Sequence, residues 1–245
     1  MRVLRLSNSN DEYHRVAPEQ RAPAVAARRV TELTGEPVET VIRNIWPSKG
    51  LGDRLEEWVK ELEPDVVLVR ASSFWVNFES VPLKFERRFG KRGRPITRAG
   101  LKIGGNPQFS HNPAFRLGRI VAVRTVGGAT YFEPQQASDL LMNAVQRICR
   151  DESLLVVVRG PSHSHNAVAS AGGLRRSERR RAELEACLAA ECQRLRVPFV
   201  PRREPFTQAH LLSDDVHDNE EGHRLNGELD GDAIAENWLA AHGRA

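Results

Sequence analysis

Apolar and polar positions along the chain fall into short runs of strand type separated by longer stretches of helical period. Arg2–Leu6 alternates and stops at the polar run S-N-S-N, which reads as a first strand feeding a loop. From Pro18 to Leu33, alanines, valines and arginines recur at helical spacing, and Gly35 marks the stop. Pro37–Ile45 is rich in β-branched residues and reads as a second strand, followed by the turn S-K-G-L-G-D. Asp53–Leu62 places Leu55, Trp58, Val59 and Leu62 along one side of a short helix. P-D-V-V-L-V, from Pro64 to Val69, is a continuous apolar run of the kind buried on both faces of a parallel sheet.

From Ser80 to about Glu133 the pattern dissolves into basic sequence bearing Gly and Pro, with a strand-like piece at Ile120–Thr125. Its length exceeds that of an ordinary loop, so it reads as an insertion or lid bearing on specificity. Regular spacing resumes with a helix over Pro134–Arg150, a buried strand at Leu154–Val158 and the polar loop R-G-P-S-H-S-H-N. A long helix over Ser177–Arg194 and a short strand at Val197–Val200 follow, and Gly172 and Gly173 suggest a mobile loop before that helix. The chain closes with a polar loop and a helical stretch from Asn219 to about Ala241.

Strands alternating with helices require crossover connections, which are almost always right-handed and lay helices on both faces of a parallel sheet. The expected architecture is therefore α/β, a flavodoxin-like three-layer sandwich with a five-stranded parallel sheet, in one domain over residues 1–245 with the insertion at about 80–133. Ligands in such folds bind beyond the carboxyl ends of the strands. Those ends carry Ser7–Asn10, Gly50 and Gly52, then Ser72, Ser73 and Asn77, then Ser162, His163 and His165, and finally the loop with Asp214 and His217.

In S-D-D-V-H-D-N-E-E-G, Asp214 and His217 are three residues apart, so one turn can bring a carboxylate to an imidazole. A carboxylate on Nδ1–H fixes the tautomer and leaves Nε2 to accept a proton, as a general base requires. Asp215 is an alternative orienter. Asn219 suits the N-cap of the last helix, with Glu220 and Glu221 at its positive end, and His223 is expected as an exposed helix residue. A serine nucleophile candidate, a histidine with its acid, and glycine and asparagine amides are the parts that acyl transfer through serine needs.

On these residues the chain resembles the SGNH hydrolases, the GDSL-type lipases and esterases. The family's first block matches Ser7-Asn8-Ser9 and implies Ser9 as nucleophile; its glycine block matches G-L-G-D, implying Gly52, with Gly50 the alternative. The asparagine block follows a P-D-hydrophobic strand and carries to Asn77, and the last block, Asp-x-x-His with x-Asn-x-x-Gly, gives Asp214 and His217. Two departures stand out: Ser7 and Asn8 replace the family's glycine and acid, and A-S-S-F-W-V precedes Asn77 in place of the Gly-x-Asn-Asp form. The resemblance implies an oxyanion hole from the amides of Ser9 and Gly52 and the side chain of Asn77.

Composition narrows the function further. The chain has 245 residues with 36 Lys and Arg against 32 Asp and Glu, a net charge of +4. No apolar run reaches membrane-span length and no leader pattern opens the sequence, so a cytoplasmic protein is expected. Cys149, Cys187 and Cys192 form an odd set without metal spacing and read as reduced thiols. His163 and His165 have no carboxylate or cysteine near them in sequence, so neither a metal nor another cofactor is expected. Basic residues cluster at Lys84–Lys102 and Arg175–Arg181; the second cluster lacks interleaved aromatics, and nucleic acid is not the expected partner. Arg87 and Arg88, downstream of Asn77, are the candidate binders of an anionic substrate.

The expected activity is hydrolysis of a carboxylic ester, an O-acyl or O-acetyl group on a small molecule or glycan, through an acyl-enzyme. Two alternatives stay open: an acyltransferase with the same machinery, in which the insertion excludes water, and a non-catalytic binder of an anionic glycan or nucleic acid. The acyl group, the alcohol and the oligomeric state are not determined by the sequence.

Overall fold

The sheet is five-stranded and parallel, in the order β2-β1-β3-β4-β5. Its strands are β1 (Arg2–Ser7), β2 (Glu39–Asn44), β3 (Val66–Arg70), β4 (Leu155–Arg159) and β5 (Phe199–Val200). This is the flavodoxin-like arrangement expected from the alternation of elements. The computed structural model describes residues 1–8, 10–11, 15–104, 112–151, 153–162, 171–202, 207–212 and 217–243.

Between and around the strands run α1 (Ala22–Thr34), α2 (Leu51–Leu62), α3 (Phe74–Asn77), α4 (Val81–Phe89), α5 (Arg94–Gly104), α6 (Pro113–Val126), α7 (Pro134–Ile148), α8 (Ala171–Leu195) and α9 (Glu220–His242). The period-2 alternation of the strands sends Leu4, Leu6, Val67, Val69, Val156 and Val158 to one face, against α2, α7 and α8. Val3, Val66, Leu68 and Val157 go to the other face, where Val30 of α1 and Ala233 and Ile234 of α9 cover them. Helix α1 stops where Gly35 turns left-handed at φ 75°, its N–H bonded 2.9 Å to Thr31 O.

The insertion differs from its sequence reading. Ile120–Thr125 is part of helix α6 and not a strand. The deciding signal lies upstream, where Asn112 Oδ1 accepts the N–H groups of Ala114 and Phe115 and Pro113 opens the first turn. That cap outweighs the β-branched composition of one short window. Instead of irregular sequence, the described residues of 81–126 hold three α-helices, and Ser80 and Ala129, on either side, exchange N–H···O bonds of 2.9 and 3.0 Å in an antiparallel bridge. Gly172 and Gly173, read as a mobile loop, lie inside the first turn of α8.

Helices α1 and α9 approach closely because α9 presents Gly227 and Gly231 one turn apart. A Cβ on Gly227 would stand 2.5 Å from Val25 Cβ and 2.8 Å from Ala22 O; one on Gly231 would meet Arg29 and Ala26. Gly227→Ala is therefore expected to lower stability by about 1–3 kcal/mol through overpacking, read from the urea midpoint at unchanged m-value.

Candidate active site

The carboxyl ends of β1, β3 and β4 carry a buried ionic cluster. Arg5, Arg70 and Arg159 share the α1/α9 face of the sheet with Val3, Leu68 and Val157, and all three are buried. Arg5 Nε donates to Asp11 Oδ2 at 2.6 Å and its Nη2 to Asp230 Oδ2 at 2.6 Å. Arg70 Nη1 donates to Asp11 Oδ1 at 2.9 Å and pairs through Nε with Asp230 at 3.3 Å. Arg159 Nε lies 3.1 Å from Asp230 Oδ1 as an ion pair, while its Nη2 donates to Asn226 Oδ1 at 2.9 Å. Asn226 Nδ2 passes the chain on to Asp218 Oδ2 at 2.8 Å.

Burial alone would raise the pKa of these carboxyls. For Asp11, the Arg5 and Arg70 guanidiniums overcome it and hold the group well below the usual range. Asp230 is likewise depressed, since Arg159, Arg70 and Arg5 outweigh its burial. At Asp218 the balance reverses: burial wins over Arg70, His223 and Asn226, and the pKa is raised. Burial also draws Arg159 down to about 10, against the attraction of Asp230.

This cluster holds two sequence-distant loops together. Asp11 lies two residues after Ser9, and Asp218 directly follows His217. Asp218 N–H donates to Asn10 Oδ1 at 2.9 Å, so the residue after His217 is bonded to the residue after Ser9. Asn10 N–H in turn bonds Asn8 Oδ1 at 3.0 Å, and Asp11 N–H bonds Asn8 O at 3.3 Å. The loop carrying His217 is closed at its base, where Leu212 N–H donates to His217 O at 2.7 Å beside the Leu211–Asp218 bridge. His217 itself is half-buried. Ser9, Asp214, Asp215, His163 and His165 lie outside the described residues.

The closing motif has clear structural roles for its polar and glycine positions. Asn219 caps α9, accepting Gly222 N–H at 3.0 Å as expected, and its Nδ2 donates to Ala209 O at 2.8 Å. A Cβ on Gly222 would stand 2.3 Å from His210 O, so only glycine allows the preceding turn to pack there.

Asn77 ends the short helix α3 and is only 3% exposed. Neither its amide nitrogen nor its amide oxygen has a partner among the described residues. A buried amide left unbonded costs about 1–3 kcal/mol, a sign that some other group completes it. Gly52 is buried in the first turn of α2, where its N–H has no intrahelical acceptor. Glycine at 52 also has a packing cause, since a Cβ would stand 2.7 Å from Arg147 Cδ; Gly50 is exposed, with open space around it. Phe74 and Phe78, on and just after α3, form one aromatic group with Trp46 and Tyr131, in which Trp46 and Tyr131 are edge-on at 4.8 Å and Arg119 lies 4.4 Å above Phe78.

Arg87 and Arg88 are exposed at the end of α4. Arg87 Nη2 donates to Thr130 O at 2.8 Å and its Nη1 reaches Glu133, tying α4 to the segment before α7; Arg88 lies 5.9 Å over the Phe89 ring.

His223 corrects its sequence reading: it is fully buried in α9, not exposed. Its Nδ1 accepts Ala22 N–H at 3.2 Å, which assigns the proton to Nε2. The spacing of His223, Asn226 and Asp230 along one helix face was the available signal for this buried polar stripe. V-V-L-V-R and L-V-V-V-R, two apolar strands each ending in arginine, signalled the matching positive side. All three cysteines are free thiols, and burial pushes Cys149 up to about 11 and Cys192 up to about 12.

No family model matches the sequence, and a search of curated proteins finds no match. Solved structures do match over nearly the whole chain. The psychrotrophic esterase EstA from Pseudoalteromonas sp. is 10% identical with a TM-score of 0.56, covering 98% of each chain. TesA is 13% identical with a TM-score of 0.57, over 96% of this chain and 99% of its own. Axe2, an acetylxylan esterase from Geobacillus stearothermophilus, is 13% identical with a TM-score of 0.52, over 100% of this chain and 94% of its own. The chain thus has the fold that the sequence resemblance implied.

Two outcomes follow from the buried cluster. Asp230→Asn leaves three buried guanidiniums short of a counter-charge and is expected to cost about 3–5 kcal/mol in urea unfolding. His223 titrates below its ordinary value of 6.5 because burial outweighs the attraction of Asp218 and Asp11. A depressed histidine gives stability that is full above the unfolded pKa and is lost as pH falls through the folded one. His223→Asn keeps an acceptor for Ala22 N–H but cannot be protonated. Its Tm should therefore fall less than that of the parent chain between about pH 7 and pH 5.5.

Proposed function

We propose that this chain, with the fold of the SGNH hydrolases, is a serine esterase that cleaves a carboxylic ester through an acyl-enzyme. The observation that carries the reading is the bond from Asp218 to Asn10, which joins the neighbour of His217 to the neighbour of Ser9 across the whole sequence. The buried, unpartnered amide of Asn77 supports it further, as a donor waiting for an acceptor.

In this reading Ser9 Oγ attacks the carbonyl carbon while its proton passes to His217, and Asp214 orients the imidazole and stabilises its charged form. The tetrahedral oxyanion accepts hydrogen bonds from the amides of Ser9 and Gly52 and from the side chain of Asn77. As the intermediate collapses, the C–O bond breaks and His217 returns the proton to the departing alcohol. Water then attacks the acyl-enzyme by the same proton route, releasing the carboxylic acid and restoring Ser9. The Trp46–Phe74–Phe78–Tyr131 cluster, which includes the residue directly after Asn77, offers an apolar wall to the acyl or sugar portion of an O-acyl or O-acetyl ester.

Ser9→Ala should abolish labelling by a fluorophosphonate probe and reduce p-nitrophenyl acetate turnover by on the order of 10⁴ or more, with the fold unchanged by circular dichroism. Asn77→Ala should lose on the order of 10²–10³ in kcat and still label. Retained turnover in pure Ser9→Ala protein would remove Ser9 from the mechanism.

A further inference from the structure

Charge is segregated within this chain. Residues 81–126 carry eleven Lys and Arg against one acid, Glu86, a net +10 in a chain whose total is +4, so the remainder is −6. The same segment exposes apolar side chains that a folded domain normally covers. Leu117 is 62% exposed, Ile96 54% and Phe89 52%, and Phe85, Ile103, Val121 and Val126 are exposed with them. Each insertion helix contributes: Phe85 and Phe89 stack one turn apart on α4, Ile96 and Ile103 lie two turns apart on α5, and Leu117 and Val121 one turn apart on α6. Lys91, Arg92, Arg98 and Lys102 are exposed and make no ion pair among the described residues.

Helices with clustered basic residues and an exposed apolar stripe suit an interface where a negative layer overlies hydrocarbon. We propose that the three-helix insertion is a docking surface for an anionic lipid bilayer, lying on it without crossing. No helix among the described residues is long and apolar enough to cross a membrane. Charge decides among occupants. A second copy meeting this one through the same surface would set +10 against +10, and a copy docking through its net −6 remainder or a neutral protein groove offers no hydrocarbon layer for the exposed aliphatic side chains. A nucleic acid would satisfy the cations but has nothing to cover the aliphatic residues Ile96, Ile103, Leu117 and Val121. The Ser80–Ala129 bridge gathers both ends of the insertion at one neck, so α4, α5 and α6 rest on the bilayer as a unit distinct from the negatively charged remainder. Nothing in this reading depends on Ser9 or on hydrolysis.

The test is co-sedimentation of the full chain with phosphatidylcholine vesicles, with and without phosphatidylglycerol, at low and high salt. Apparent affinity should be at least about tenfold higher with phosphatidylglycerol, and should fall as salt screens the charges. Two variants separate the contributions, each first shown to keep the parent circular dichroism and Tm. Lys91→Glu with Arg92→Glu and Arg98→Glu should weaken vesicle binding by about tenfold or more. Phe89→Ser with Leu117→Ser and Val121→Ser should also weaken vesicle binding several-fold, yet leave retention on a single-stranded oligonucleotide column unchanged. Equal binding to both vesicle types by the parent chain would overturn the proposal, a result that needs no variant. So would full vesicle binding by the serine variant, or an oligonucleotide that outcompetes the vesicles and is indifferent to the serine changes.

Discussion

Three guanidiniums buried at the ends of three adjacent parallel strands cannot exist without anions in fixed places, and much of this molecule is arranged to supply them. Withdrawing an arginine from water costs several kcal/mol, and only close, hydrogen-bonded carboxylates offset it. Asp11 comes from the turn after β1 and Asp230 from the last helix, so the first and last parts of the chain must meet over the sheet for any of the three charges to be tolerated. The glycines of α9 serve the same end, since Gly227 and Gly231 let the helix carrying Asp230 sink onto α1. Asn226 and Asp218 extend the cluster to the closing loop, and Asp218 reaches Asn10. The neighbours of the candidate nucleophile and of the candidate base thus belong to one continuous buried network.

The two faces of the sheet are unequal because of it. Against α2, α7 and α8 the packing is predominantly apolar, with Leu141, Met142, Leu184 and Leu188 of the helices laid against the strands. Against α1 and α9 an apolar layer near the amino ends of the strands gives way to ions at their carboxyl ends. An apolar contact tolerates small shifts, whereas an ion pair in a low-dielectric interior loses energy steeply with distance. The rigid side therefore lies beneath the loops that must be positioned.

Charge repeats this division on a larger scale. A strongly positive insertion on a negative remainder makes the molecule a dipole, and a dipole approaches any charged surface in one orientation. Arg87 and Lys84 turn inward to carbonyl oxygens of Thr130 and Val126, holding α4 against the base of the insertion, while the neighbouring cations point to solvent.

The order and type of the core elements were legible in the sequence because they rest on local periodicity: a continuous V-V-L-V run is buried wherever it is placed, and Gly35 ends a helix by its own conformational freedom. The capping role of Asn219 was local too. Ile120–Thr125 was misread because a cap eight residues upstream, at Asn112, governs it. His223 was misread because burial is not a property of one residue: its environment comes from α1, two hundred positions away. Arg5, Arg70 and Arg159 look like ordinary strand-end charges until the chain folds, and only the sheet order brings all three within reach of Asp230. Periodicity and turn chemistry, which act between near neighbours, were written in the sequence itself; the pairing of charges across the sheet depends on distances that exist only after the strands are side by side, and the tertiary structure alone decided it.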